Sequence, residues 1–500
     1  MKRLNATMLG SLPSHIALPQ YDRETRECGI VHIGVGAFHK AHQAVYTNRA
    51  ITKNGGDWMI AGVSLRSSTA RDELEAQNYL YSLTASGGPE EEISIVGSIK
   101  EIHVAPEDLD KALSLIARPS VHVVTLTITE KGYCLKADSG ELDLEHPDIF
   151  HDLESPDTPI SAIGFLGASL RNRKRANGQP ITIISCDNLN ENGKKLERAI
   201  KRFLQVTDPE TLDWVKKNTT FPSTMVDRIV PATTAQDRDD RAARLGCLDQ
   251  ACVKTEAFSQ WVIEQNFAGP VPDWQGAGAT YVNDVHPYEL AKLRLLNGPH
   301  SAIAYLGALA GHEFAHQVMD DPMLAGFIEY LMKAEIAPML LMPAGFDLCE
   351  YTNSLRERFR NAALEHRTLQ IAMDGSQKLP QRIVPILEER LAKELPVGGL
   401  LLVIAAWMAH VSGRGYPDNV PPVEDPMAGR LSSIAEAKPD SSALVMAYLQ
   451  IGEIFGHRLE DKQSLLPDLI TAFDAICQDA HGAIRSTMSV NRTAKYMGEE

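Results

Sequence analysis

The stretch Ile30-Val-His-Ile-Gly34-Val-Gly36-Ala-Phe-His39-Lys-Ala-His42 constrains the fold of this chain more than any other. A short apolar run passes into Gly-x-Gly and then into helix-compatible sequence from Phe38 to Ala50, the pattern of the first strand-to-helix turn of a dinucleotide-binding α/β fold. Glycines at such a turn let backbone N–H groups approach a pyrophosphate at a helix N-terminus. Gly34, Gly36, Ala37, Phe38 and His39 are therefore candidate cofactor contacts. His39 replaces the third glycine of the usual G-x-G-x-x-G, so an ordinary glycine turn is the competing reading.

The rest of the first half extends the α/β pattern. Val121 to Thr129 and Ile181 to Ser185 read as strands, whereas Ser161 to Arg175 and Gly193 to Leu204 read as helices. Such alternation up to about Tyr281 predicts a mainly parallel sheet with helices on its faces. From Pro287 onward helical patterns dominate, interrupted at Pro322, Pro338, Pro343 and in a Pro-rich loop from Pro417 to Pro426. The Gly- and Pro-rich segment Pro270 to Gly278 leads toward the boundary between the halves. The expected organisation is a Rossmann-like dinucleotide-binding domain over 1–284 and a mostly α-helical domain over 285–500.

Five hundred residues are ample for two domains with a core each. A formal net charge of −16 disfavours nonspecific nucleic-acid binding but leaves an anionic substrate open, because local cations decide that. The longest apolar run, Leu400 to Ala409, is too short to span a bilayer, and no secretory signal precedes Pro13. Seven cysteines without a C-x-x-C pair point to buried thiols in a reducing cytoplasm. Nothing in the sequence specifies an oligomeric state.

The second informative run, Lys292-Leu-Arg-Leu-Leu-Asn297-Gly-Pro-His300, groups a base, an amide and an imidazole. A lysine serves as a base near neutrality only when burial or neighbouring positive charge lowers its ordinary pKa of about 10.4. Asn297 and His300 are suited to polarising a carbonyl or alkoxide oxygen. A helix carrying one solvated lysine and two polar residues fits the same spacing.

A third pattern points elsewhere. His312-Glu313-Phe314-Ala315-His316 matches H-E-x-x-H, which on a helix holds zinc while the glutamate activates water, with Glu329 or Glu335 as a third ligand. The competing expectation is a helix carrying two partly exposed histidines, since three fixed positions recur by chance in a long chain.

Taken with Thr127-Ile-Thr-Glu130-Lys-Gly-Tyr133, Ser185-Cys-Asp187-Asn188, Phe221-Pro-Ser-Thr-Met-Val-Asp227-Arg-Ile-Val-Pro231 and Met373-Asp-Gly-Ser-Gln-Lys378, the chain resembles the polyol-specific long-chain dehydrogenases. That family includes mannitol 2-dehydrogenases and fructuronate reductases (D-mannonate oxidoreductases). Gln370 to Arg382 and Glu130 to Cys134 look most like the fructuronate reductase branch. The resemblance implies a metal-independent oxidoreductase with its active site between the two domains, acting on a small sugar acid or polyol with NAD. Lys292 would be the general acid/base, Asn188 and Asn297 would hold the reacting oxygen, and His300 would bind an adjacent hydroxyl. Lys378 and Arg382 would meet the distal end of the substrate, and Glu130 would gate protons or contact the site. Asp227 has the family position beside the cofactor-binding elements, with a structural partnership to Arg228 as the alternative.

Four positions qualify the resemblance. Relatives commonly carry Gly-Ser-His where this chain has Gly298-Pro299-His300, and the proline is expected to restart a helix there. Lys40 stands where arginine is usual. Gln370 replaces an arginine of mannitol-oxidising relatives, which favours the hexuronate branch over mannitol or arabinitol. Arg66 follows Gly62-Val-Ser-Leu65 where NAD enzymes carry an acid, so NADP is the alternative coenzyme.

Overall fold

The computed structural model describes residues 1–88, 91–136, 139–176, 178–416, 419–456 and 465–496, without the side chains of 364 and 490–496. Pro417, where the Pro-rich loop was expected to begin, lies outside the described residues. The chain divides into two compact units, Met1–His286 and Pro287–Glu500.

The first unit is built on six parallel strands: β1 (Cys28–Ile33), β2 (Met59–Ser64), β3 (Ile99–Val104), β4 (Val123–Leu126), β5 (Ile181–Ser185) and β6 (Thr219–Thr220). Their order across the sheet is β3-β2-β1-β4-β5-β6, the doubly wound order in which the chain reverses direction beside β1. Every residue of β1 and β2 is buried. Successive side chains alternate between two apolar clusters: Val31, Ile33, Val124 and Leu126 pack on one face, Ile30 and Val123 on the other. That is why these strands read as continuous apolar runs rather than alternating ones.

Two three-stranded sheets complete this unit. Tyr81–Ser86 lies between Glu92–Val96 and Val253–Glu256, while Gln260–Glu264 lies between Thr224–Asp227 and Thr280–Val282. The helix expected from Phe38 to Ala50 is two helices, α1 (Ala37–Ala41) and α2 (Gln43–Asn54). They are separated at His42, whose φ of −123° and ψ of −88° leave the helical region. Its imidazole is held by Gln43 Nε2 at 3.0 Å and the Gln260 carbonyl at 2.9 Å. Side-chain hydrogen bonding overrides helix propensity there.

Among the described residues the second unit is helical throughout its regular structure. Its centre is Gly398–Ser412, in which Gly399 to Val411 are all buried and Trp407 is fully enclosed. The run Leu400 to Ala409 is thus a core helix, and no described helix is long and apolar enough to cross a membrane. Pro322 opens a helix, Pro322–Tyr330, rather than ending one, because its missing N–H falls where no partner is needed.

Two segments of this unit take the i→i+5 pattern of a π-helix: Lys292–Asn297 and Leu331–Ile336. Gly298 N–H donates to Leu293 O, and Ala337 N–H to Met332 O. Each donor is followed at once by a proline, Pro299 and Pro338. A proline has no N–H to close the next α-helical ring and its ring crowds the preceding turn. The widened turn accommodates both effects. The second π segment carries Glu335, whose carboxylate accepts from Gly399 N–H at 2.7 Å and Leu400 N–H at 2.9 Å and so satisfies the N-terminus of the core helix. Burial pushes that carboxyl above the ordinary range despite these donors.

Candidate functional site

In the first unit the carboxyl ends of β1, β2 and β4 open on a cavity of about 800 Å³ lined by Gly34, Gly36, Ala37, Ser64, Arg66, Ser67, Thr127, Thr129 and Lys131 among others. Gly34 has φ of +92°, and a side chain there would run into the Thr127 carbonyl. Gly36 precedes α1, and a Cβ there would meet only the Gly34 carbonyl oxygen, at 3.9 Å. The first glycine permits the turn, and the second leaves the helix N-terminus accessible to an anion.

The turn is braced from below. His32 on β1 bonds through Nδ1 to Thr125 Oγ1 at 2.8 Å, and its Nε2 lies 3.1 Å from Gly34 O and 2.9 Å from Thr127 Oγ1. Thr127 Oγ1 donates to the same Gly34 carbonyl at 2.8 Å. Burial holds His32 down to about 3, so the imidazole is neutral at physiological pH. His39 is fully buried and stacked on His32 with ring centroids 3.4 Å apart. Its ring therefore supports the loop from behind rather than lining the cavity, and burial also keeps it well below the ordinary histidine value. Phe38 is half-buried and stacks on His42 at 5.0 Å.

Arg66, on the turn after β2, is 81% exposed at the cavity rim, with Nη2 3.2 Å from Asp148 Oδ2. The acid near this position is thus supplied by a distant segment rather than by the end of β2. Asp227 closes the strand Thr224–Asp227 and is buried away from the cavity lining. Its neighbour Arg228 donates to the carbonyls of Ala41 at 2.5 Å and Glu256 at 3.0 Å, fixing the end of α1. Lys40 Nζ donates to Ala251 O at 3.0 Å, a second tie on the same helix.

Asn188 follows β5 and is exposed. The residue before it is the hub of a buried network: Asp187 accepts from Ile128 N–H at 3.0 Å, Thr129 N–H at 2.9 Å and Tyr133 Oη at 2.7 Å. Tyr133 Oη also lies 2.5 Å from Ser185 Oγ. These bonds fix the turn that leads from β4 into Glu130, which is exposed.

In the second unit Lys292 and Asn297 begin and end the first π segment. An α-helix sets residues five apart on different faces, whereas the i→i+5 register brings them toward one. Pro299 does not break the chain direction here; the helix Gly298–Leu309 continues from the π segment with His300 in its first turn. Lys292 and Asn297 are half-buried and His300 is buried. The His300 ring lies 4.6 Å from Phe359 and 5.5 Å from His366. Burial, then His366, Arg382, Arg358 and Lys378, push its pKa well below the ordinary value. His300 is therefore a neutral imidazole, with one nitrogen able to donate and the other to accept, among nearby cations.

Lys378 and Arg382 occupy the helix Gly375–Arg382, which packs against the π segment. Arg382 Nη1 donates to Asn297 O at 3.3 Å, and Lys378 Nζ donates to the carbonyls of Ile371 at 3.1 Å and Met373 at 2.5 Å. A side chain at Gly375 would meet Trp407 Nε1 and Tyr305 Oη, each at 2.6 Å, which accounts for the glycine in Met373-Asp-Gly-Ser. Gln370 is exposed.

Arg358 and His366 were not anticipated from the sequence. A signal existed for Arg358: it falls on the buried stripe Tyr351, Leu355, Phe359 of its helix, where charged residues are rare.

The H-E-x-x-H pattern does not make a zinc-hydrolase helix. His312 lies in the turn before the helix Ala315–Asp320 that carries His316, so the two are not on one helical face. Glu313 pairs with Arg367, Glu329 with Lys333 and Arg356, and Glu335 caps the core helix.

Residues 28–276 match the family model for the mannitol dehydrogenase Rossmann domain, and residues 284–477 the mannitol dehydrogenase C-terminal domain. The chain is 41% identical over 467 residues to the D-mannonate oxidoreductase of Escherichia coli (strain K12), covering 93% of this chain and 96% of that protein. It superposes with a TM-score of 0.82 on Pseudomonas fluorescens mannitol 2-dehydrogenase in its ternary complex with NAD and D-mannitol, at 34% identity and with 98% and 99% of the two chains covered. A substrate-free D-sorbitol dehydrogenase gives a TM-score of 0.89 at 30% identity, covering 96% and 99%. The doubly wound sheet with its glycine turn, the helical second unit and these matches along nearly the whole chain make this protein a member of the mannitol dehydrogenase family of oxidoreductases.

Proposed function

We propose that this protein interconverts D-fructuronate and D-mannonate by hydride transfer with NAD(H). The observation that carries the hexuronate over a neutral polyol is the set of cations about His300, namely Arg358, Lys378 and Arg382. Such a surround suits a carboxylate-bearing sugar chain. The 41% identity to a D-mannonate oxidoreductase points the same way. A neutral polyol such as mannitol or arabinitol, giving fructose or xylulose, is the second reading. It is favoured by the engagement of the Lys378 ammonium with two backbone carbonyls.

The cavity fits a dinucleotide, because Gly34 and Gly36 line it without side chains and a side chain at Gly34 would run into the Thr127 carbonyl. Gly34, Gly36 and Ala37 would receive the pyrophosphate and Arg66 the adenosine ribose, while Phe38 and His39 support the turn and Arg228 ties the end of α1. When bound, the nicotinamide supplies or takes the hydride. Lys292 donates a proton to the carbonyl oxygen in reduction and takes it back in oxidation. Asn188 and Asn297 stabilise the charge that develops on that oxygen. Neutral His300 binds a neighbouring hydroxyl, Lys378 and Arg382 orient the carboxylate end, and Glu130 passes protons to solvent.

The test follows NADH consumption with D-fructuronate and D-fructose in parallel, repeated with NADPH and with Lys292→Ala. The expected result is preferred turnover of fructuronate with NADH, lowered about 10²- to 10⁴-fold in the variant. Preference for fructose would move the protein to the polyol reading. Equal turnover by Lys292→Ala would remove the assigned acid/base.

A further inference from the structure

The histidine of H-E-x-x-H that fails to meet its motif partner meets a different pair of ligands. His312 Nε2 lies 3.5 Å from Asp321 Oδ2, and His481 Nε2 lies 2.7 Å from the same oxygen. The three ligand atoms all fall within 4.8 Å of one another. We propose that His312, Asp321 and His481 form a structural site for a divalent transition ion of the zinc type, tying the C-terminal helix to the body of the second unit.

Each ligand is held by its own segment. The His312 backbone is fixed on both sides, its N–H donating to Gly307 O at 2.9 Å and its carbonyl accepting from Thr368 Oγ1 at 2.9 Å. Asp321 uses Oδ1 to cap the helix Pro322–Tyr330, accepting from Met323 N–H at 2.9 Å and Leu324 N–H at 3.2 Å. That leaves Oδ2 directed at the two imidazoles. His481 sits in the first turn of the helix Ala480–Tyr496, and its N–H donates to Asp479 Oδ1 at 3.1 Å.

Hydrogen bonding alone satisfies only part of this cluster. Asp321 and His481 pair directly, whereas His312 Nε2 is shielded from solvent and makes no hydrogen bond. An ion would join all three donors. In a tetrahedral zinc site with bonds of about 2.0–2.1 Å, neighbouring ligand atoms are roughly 3.3 Å apart. The His312 to Asp321 spacing already agrees with that, and the Asp321 to His481 bond must open by about 0.6 Å as ligation replaces it. Two imidazole nitrogens and one carboxylate oxygen suit zinc and its neighbours rather than magnesium or calcium, which take oxygen ligands. The His481 side chain is 35% exposed, so the fourth position is open to water.

The site is structural rather than hydrolytic, because Glu313 is exposed and paired with Arg367. The helix Ala480–Tyr496 packs against Pro322–Tyr330 and Gly398–Ser412, and an ion bridging these segments stabilises the folded unit alone.

The full-length protein is stripped with chelator and titrated with Zn²⁺ by calorimetry, with metal content and thermal midpoint measured on the same samples, and with Co²⁺ as a spectroscopic probe. The expected result is one equivalent bound at micromolar affinity or tighter, a midpoint raised by about 2–4 °C per kcal/mol gained, and a visible Co²⁺ absorption. Binding is lost in His312→Ala and in His481→Ala but kept in His316→Ala, and dehydrogenase turnover survives chelation. His312→Ala guards against a folding artefact, since that imidazole makes no hydrogen bond through Nε2. Failure of the stripped protein to take up one equivalent, or uptake unchanged in both ligand variants, would overturn the proposal.

Discussion

The glycine turn of the first unit and the π segment of the second do comparable work by opposite means. At Gly34–Ala37 the groups proposed to face the cofactor are backbone groups, and the side chains around them, His32, Thr127 and His39, brace the turn. At Lys292–His300 the proposed chemistry belongs to side chains, and the backbone is widened into a π turn where they sit. A backbone site is written in the sequence as missing side chains. A side-chain site depends on helical register, which a 3.6-residue period misreads when the turn is widened.

The glycine turn is the more vulnerable of the two. Gly34→Val puts a side chain at φ of +92° against the Thr127 carbonyl, and NADH binding measured by fluorescence is expected to weaken by about 10²-fold or more. Binding within a few-fold of the parent would show that the loop does not carry the pyrophosphate.

Acid tests both units at once. His32 is held down to about 3 and His410 to about 4, in each case chiefly by burial. Between those values and the unfolded value of about 6.5 the unfolded chain binds more protons. Stability present above pH 6.5 is therefore lost as pH falls, by about 2 kcal/mol per histidine at pH 5. Denaturant unfolding at pH 7.5 and pH 5 should show the loss in each unit, and His410→Gln should reduce it in the second only. A flat profile would mean that these rings do not stay neutral in the fold.

Pro299→Ala restores the N–H whose absence favours the widened turn. Relaxation toward α-helix should turn Lys292 and Asn297 apart, lowering kcat about tenfold while the thermal midpoint holds or rises, since alanine is the better helix former. Unchanged kcat would mean that neighbouring packing, not the proline, sets the register.

The smallest effect sharpens substrate choice. Arg358→Gln should raise KM several-fold for D-fructuronate and leave D-fructose nearly untouched, the split expected of a carboxylate partner. An equal effect on both would assign Arg358 to packing around His300.

Much of this was legible in the residues. Strand-like apolar runs alternating with helix-like stretches pointed to the parallel sheet, and its strands read as continuous apolar runs because both faces are buried. The run Leu400 to Ala409 was legible as too short for a bilayer, and it forms the buried core helix Gly398–Ser412. By contrast, the break at His42 arises from hydrogen bonds to Gln43 and to Gln260, the latter far away in sequence. The supply of Asp148 beside Arg66 likewise joins segments that no local pattern links.

Local periodicity and single-residue chemistry were enough to specify the two-part organisation, the glycine turn and the residue types at Lys292, Asn297 and His300. Tertiary structure alone decided which polar groups meet: that His39 stacks inward, that Arg358 and His366 surround His300, and that His312 turns from His316 toward Asp321 and His481. Long-range packing brings those groups together, and no spacing along the chain encodes it.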